Sequence, residues 1–202
     1  MAEQGGKPHR ALCAALILVS GISLSSGILA ADPPAGRQGA FNAADAAMGP
    51  LQADPNVPVC ANPPASGEKL AGDMDVGSGG HSIQFSNAGG GDALVNIRHA
   101  DTRKLANRFY LRSNEQMTIE GVPDGIYLVQ YAFGPALAVD CKTFTRIIRA
   151  RELPDADELK TQTIDDEDKT ETHFESVSYE ISVSESGNVK PVNIDAAAFN
   201  AE

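Results

Sequence analysis

The sequence predicts a mostly β protein: a single antiparallel β-sandwich domain after an N-terminal export segment and a disordered linker. Three observations carry this. Apolar and polar residues alternate with period two in segment after segment beyond Gly80, as in strands with one buried face. Turn-forming residues separate these segments at roughly the 8–12-residue spacing of sandwiches and barrels. The Val, Ile, Tyr and Phe residues that favour strands follow Ser82, whereas Gly and Pro crowd the first half. The expected boundaries are 1–31 for the export segment, 32–76 for a Pro/Ala/Gly-rich flexible linker, 77–195 for the sandwich and 196–202 for a frayed tail.

The N-terminus has a basic flank, Lys7, His9 and Arg10, followed by 21 uncharged residues from Ala11 to Ala31. A basic flank, an apolar centre and small residues form the pattern of a secretory signal peptide. As a helix the run would be about 31 Å long, enough to cross a bilayer core. Its Leu, Ile and Val cluster between Leu12 and Val19, however, and this short apolar centre favours cleavage over a retained anchor. The chain is therefore expected to be extracytoplasmic, periplasmic or secreted, with an inner-membrane anchor as the alternative. From Asp32 to Val76 no apolar period is sustained, which predicts a tether. Within it, Phe41 to Met48 has the composition of one or two helical turns.

Each strand has its own signal. His81–Asn87 puts Ile83 and Phe85 on one face. The glycine loop Ala88–Asp92 reads as a tight hairpin into Ala93–His99, where Ala93, Val95 and Ile97 share a face. Arg108–Arg112 offers Phe109 and Leu111, leaving Tyr110 out of phase and expected at the surface. Gln116–Glu120 offers Met117 and Ile119. Val122-Pro123-Asp124-Gly125 is a turn in which Pro presets φ, Asp bonds the backbone ahead and Gly allows positive φ. Gly125–Phe133 is apolar on both faces and reads as a central strand. Thr143–Arg149 reads as a further strand and Glu152–Thr172 as a long acidic loop. His173–Ser184 alternates again, turning at Glu185–Gly187 into Asn188–Ile194 as a C-terminal hairpin.

Val95–Gly134 resembles the prealbumin-like and carboxypeptidase-regulatory-like β-sandwich modules. The residues that carry the likeness are an apolar strand, a small acidic turn, an aromatic-bearing strand and then Val122, Pro123, Gly125 and Tyr127. The resemblance implies a sandwich of accessory, structural or binding type, and it brings no catalytic residues with it. The acidic segment after Glu152 departs from the pattern.

The reactive side chains are sparse. Of three cysteines, Cys13 lies in the export segment, which leaves Cys60 and Cys141 to pair in an oxidising compartment. His81, His99 and His173 show no metal-ligand spacing, and lone strand histidines are usually satisfied surface or edge residues. His173 and Glu175 share a strand face in the expected hairpin and are the pair to inspect for acid–base work, together with the acidic run at Asp165, Asp166 and Asp168. That run, and Asp73/Asp75 and Asp155/Asp157/Glu158, lack the pattern of a calcium loop. There is no nucleophile elbow or phosphate loop, and no motif implies a cofactor.

Formal charge is −11. An acidic chain repels phosphate backbones and anionic lipid, so no nucleic-acid partner is expected, and contact with membrane only through the N-terminal segment if it is retained. These features point to a non-enzymatic module that binds or braces another envelope protein or surface component. The alternatives are an extracytoplasmic hydrolase with a site assembled from scattered loops, or a calcium- or glycan-binding module.

Overall fold

The computed structural model of the protein describes residues 53–166, 169–184 and 190–202. The export segment, residues 32–52 of the expected linker with the helical turns at Phe41–Met48, Asp168 and the turn at Glu185–Gly187 lie outside them. Among the described residues the protein is a mostly β sandwich. In chain order the strands are β1 (Lys69–Gly72), β2 (His81–Asn87), β3 (Ala93–His99), β4 (Leu105–Leu111), β5 (Gln116–Val122), β6 (Gly125–Phe133), β7 (Arg149–Glu152), β8 (Asp157–Leu159), β9 (Gln162–Asp166), β10 (Lys169–His173), β11 (Ser176–Ile181) and β12 (Val192–Asn193). A short helix, α1 (Ala196–Asn200), follows.

The larger sheet runs β1-β4-β3-β6-β7-β12, with β8 also paired to β6. β6 is central because both its faces are apolar. β3 lies along one edge of it, and β7 and β8 share the other end to end. The smaller sheet runs β11-β2-β5. Ile83 and Phe85 of β2, Met117 and Ile119 of β5 and Ile181 of β11 meet Val95, Phe109, Val129 and Phe133 of the larger sheet in the main core. These residues stand at alternate positions, so each strand hides one face.

The outer face of the larger sheet is covered too. Leu94, Tyr110, Ala132 and Ala150 pack there against Cys60, Leu137, Phe144 and Phe199. The Cys60–Cys141 disulfide, between residues 81 apart in sequence, ties this cover together. Tyr110 is consequently buried rather than exposed, and its hydroxyl donates to Asp92.

Several expectations are corrected. The linker does not extend to Val76: Val59 bridges Ala138, Cys60 N–H donates to Leu137 O, and β1 pairs with β4. The glycine loop is no hairpin, since β2 and β3 belong to different sheets and the loop carries the chain across the core. Gly125 does not have positive φ. It is required for space, because a Cβ there would stand 2.9 Å from the Tyr127 ring, whose hydroxyl closes the corner onto Pro123 O. Thr143–Arg149 forms only a bridge from Phe144 to Leu137, and the strand begins at Arg149.

The acidic stretch from Glu152 is not a loop but contains β8, β9 and β10. β11 and β12 do not form a hairpin. β11 pairs with β2, in parallel, and β12 with β7 in the other sheet. The tail at 196–202 is not frayed. Asp195 caps α1 by accepting from Ala198 N–H, and Phe199 is fully buried.

Candidate functional site

β9 and β10 pair only with each other, from Asp166 opposite Lys169 to Gln162 opposite His173. Every residue of both strands is exposed. A two-stranded ribbon with no apolar face is marginal in water on its own. This one has its support at its two feet.

The first foot is Thr161. Its N–H lies 3.2 Å from both carboxylate oxygens of Asp124 and its hydroxyl donates to Oδ1 at 2.5 Å. The second foot is Phe174–Glu175. The Glu175 N–H donates to His81 Nδ1 at 2.8 Å, and the Phe174 ring meets the imidazole edge-on at 5.7 Å. His81 and Asp124 are themselves joined, Nε2 to Oδ1, at 2.9 Å. One His–Asp pair therefore clamps both ends of the arm. Nearby, Tyr179 of β11 donates to Asp157 of β8 and stacks on Phe85, which fixes the strand leading to the arm against the smaller sheet.

The local sequence explains the placement. His81 opens β2 and is 0% exposed. A bulge between His81 and Ser82 sets it opposite Val122, the residue at which β5 ends, two before Asp124. Asp124, read from the sequence as a turn residue bonding its own backbone, instead directs its carboxylate to Thr161 and His81. These bonds, Thr161 first, hold the Asp124 carboxyl at about 2, below its ordinary 3.8.

The arrangement is that of a structural clamp. In nucleophilic triads the imidazole stands between hydroxyl and carboxylate, so that it can take the hydroxyl proton. Here the carboxylate stands between. Nδ1 accepts from a backbone N–H, which leaves the ring proton on Nε2 for Asp124, and neither nitrogen is available as a base.

Of the acid–base candidates singled out from the sequence, the four described ones fall on or beside the arm. Asp165 and Asp166 are on β9, and Thr170 donates to Asp165 at 2.7 Å. His173 ends β10, whereas Glu175 lies in the link to β11, so the two do not share a strand face. The neighbour of His173 is Glu171, at 3.4 Å. Among the described residues no group of three or more His, Cys, Asp or Glu is arranged to hold a metal ion. A shallow groove lined by Ser86, Asn114, Glu115 and Gln116 does not include His173. The clamp residues His81, Asp124 and Thr161 carry no local signal of their meeting, because 43 and 37 positions separate them.

Fold and site together define a β-sandwich that displays a clamped β-arm. No family model matches the chain, and no curated protein or solved structure matches it.

Proposed function

We propose that the protein is an exported, non-enzymatic binding module of the cell envelope whose β9–β10 arm contacts another envelope protein or surface component. Export rests on the basic flank and uncharged run at the N-terminus, and the Cys60–Cys141 disulfide is compatible with an oxidising compartment. The observation that carries the binding role is the arm. Its ten described residues are all exposed, yet its ends are held by four hydrogen bonds to two side chains. A ribbon with two free edges and alternating side chains is suited to strand addition or to insertion into a groove. Its surplus of Asp165, Asp166 and Glu171 over Lys169 favours a basic surface on the partner.

Residue-specific photocrosslinking in the native envelope tests this reading. A photoreactive side chain at Ile164, 54% exposed on the arm, is expected to give a discrete adduct, and one at Val139, 69% exposed away from it, is not. Adducts of equal yield from both positions, or none from Ile164, would overturn the arm's role.

A further inference from the structure

A second polar cluster lies on the outer face of the larger sheet. Asn96 and Arg98 on β3, Arg108 on β4 and Gln130 on β6 are each no more than 3% exposed. The cover over them is α1. Phe199 places its ring in the apolar pocket of Leu94, Tyr110 and Leu137, with the Arg108 guanidinium 5.3 Å from its centroid.

The Phe199 carbonyl oxygen lies 2.8 Å from Asn96 Nδ2, 3.0 Å from Arg98 Nη2 and 3.1 Å from Arg108 Nη2. Arg98 also reaches Ala198 O at 3.4 Å and Ala201 O at 2.5 Å. A carbonyl oxygen has two lone pairs. Three donors, two of them cationic, exceed what it accepts.

The charge also has no direct carboxylate partner. Among the described residues no carboxylate lies within 4.0 Å of Arg98 or Arg108. Carboxylates act on the pair only from further away, Glu152 on Arg98 and Glu202 and Asp140 on Arg108, and Glu152 is engaged by Arg103 and by Gln130, which stands between it and Arg98. Burial, and after it a neighbouring guanidinium, lowers the pKa of both arginines. Buried cations whose direct hydrogen-bond partners are neutral oxygens are only partly compensated by carboxylates further off. A carboxylate at the same place would supply a full charge and a second acceptor oxygen.

Which carboxylate it would be follows from the geometry. The oxygen on which the donors converge belongs to the residue whose ring fills the pocket. The carboxylate that replaces it without moving the ring is that residue's own α-carboxylate. We infer that the Asn96–Arg98–Arg108 cradle is a binding site for the free C-terminus of a partner peptide ending in an aromatic residue, and that residues 195–201 fill it when that ligand is absent. This site is separate from the arm and does not depend on the role given to it.

The probe is the acetylated tetrapeptide Ala-Ala-Ala-Phe with a free carboxylate, set against its C-terminal amide, titrated calorimetrically into the full chain. Asp195→Ala removes the α1 cap without touching the cradle, so it should bind the free acid roughly fivefold tighter than the unsubstituted protein. The amide should bind at least about tenfold more weakly than the acid, and adding Arg108→Gln should abolish binding of the acid. Equal affinity for acid and amide, or no binding by an Asp195→Ala protein with native near-ultraviolet dichroism, overturns the inference. If Asp195→Ala does not fold, isotope-labelled unsubstituted protein decides. Millimolar free acid must shift the Ala198, Phe199 and Ala201 amide resonances and the amide peptide must not; no shift overturns it equally.

Discussion

The backbone N–H of Glu175 donates to Nδ1 of His81, on the same imidazole whose Nε2 lies against the Asp124 carboxylate. A fully buried ring thus joins the far foot of the arm to the near one, since Asp124 also holds Thr161. Loss of either side chain frees one end directly and removes the bond that couples it to the other, so the arm should behave as a single cooperative unit.

The clamp should weaken in acid. Asp124 has a folded pKa of about 2, depressed from 3.8. A depressed carboxylate stabilises the fold above its unfolded value, and that contribution is lost as pH falls through the folded one. Protection of the Thr161 amide against exchange, relative to its intrinsic rate at each pH, should therefore be high above about pH 4 and fall progressively toward about pH 2. Asp124→Asn should remove this pH dependence. An amide whose protection is the same at both ends of the range would argue against the clamp.

His81→Ala leaves a cavity at a fully buried site and orphans the Glu175 N–H. The expected loss is about 2–4 kcal/mol by urea unfolding. The variant should also be cut by trypsin after Lys169 under conditions that leave the unsubstituted protein intact. Unchanged stability with unchanged cleavage would contradict the account.

The alternation that predicts β2 and β5 survives folding because Ile83, Phe85, Met117 and Ile119 need only one buried face, which neighbouring residues state locally. What covers the other face is not local. Asn96, Arg98 and Arg108 read as solvent-facing, yet they are buried by Phe199, about a hundred positions away. Tyr110 is misplaced for the same reason. α1, at five residues, is shorter than two turns of helical periodicity. β9 and β10 have no apolar side to announce them. β11 pairs in parallel with β2 across 94 positions, and no turn chemistry marks a partner so distant. The clamp was illegible in the same way: a turn aspartate, a strand histidine and a threonine meet only through tertiary structure.

Two glycine substitutions separate space from flexibility. Gly121 has φ +71°, and a Cβ there would lie 2.2 Å from Gly77 O. Gly121→Ala should cost at least about 2 kcal/mol. Gly77→Ala meets nothing within 4 Å, and should change stability by no more than about 0.5 kcal/mol. Equal effects in denaturant titrations would refute the close approach of β5 to the Gly77 segment.

Reduction of the Cys60–Cys141 bond should lower stability by up to about 4 kcal/mol, the chain-entropy value for so long a loop. The segment it anchors then keeps the Val59–Ala138 bridge, Cys60 packing and hydrogen bonds such as Cys60 N–H to Leu137 O and Arg112 to Pro64 O. Mild proteolysis in reductant should remove residues before β1 first, followed by mass analysis of the fragment. A melting temperature insensitive to reductant would show that the bond contributes nothing to the fold.

The most direct measurement is the nitrogen-15 spectrum of the His81 side chain. An imidazole tied to Glu175 and Asp124 at once must carry its proton on Nε2, leave Nδ1 bare, and exchange that proton slowly. A proton on Nδ1, or a ring averaging between tautomers in neutral solution, would mean that the two ends of the arm are not tethered to one residue.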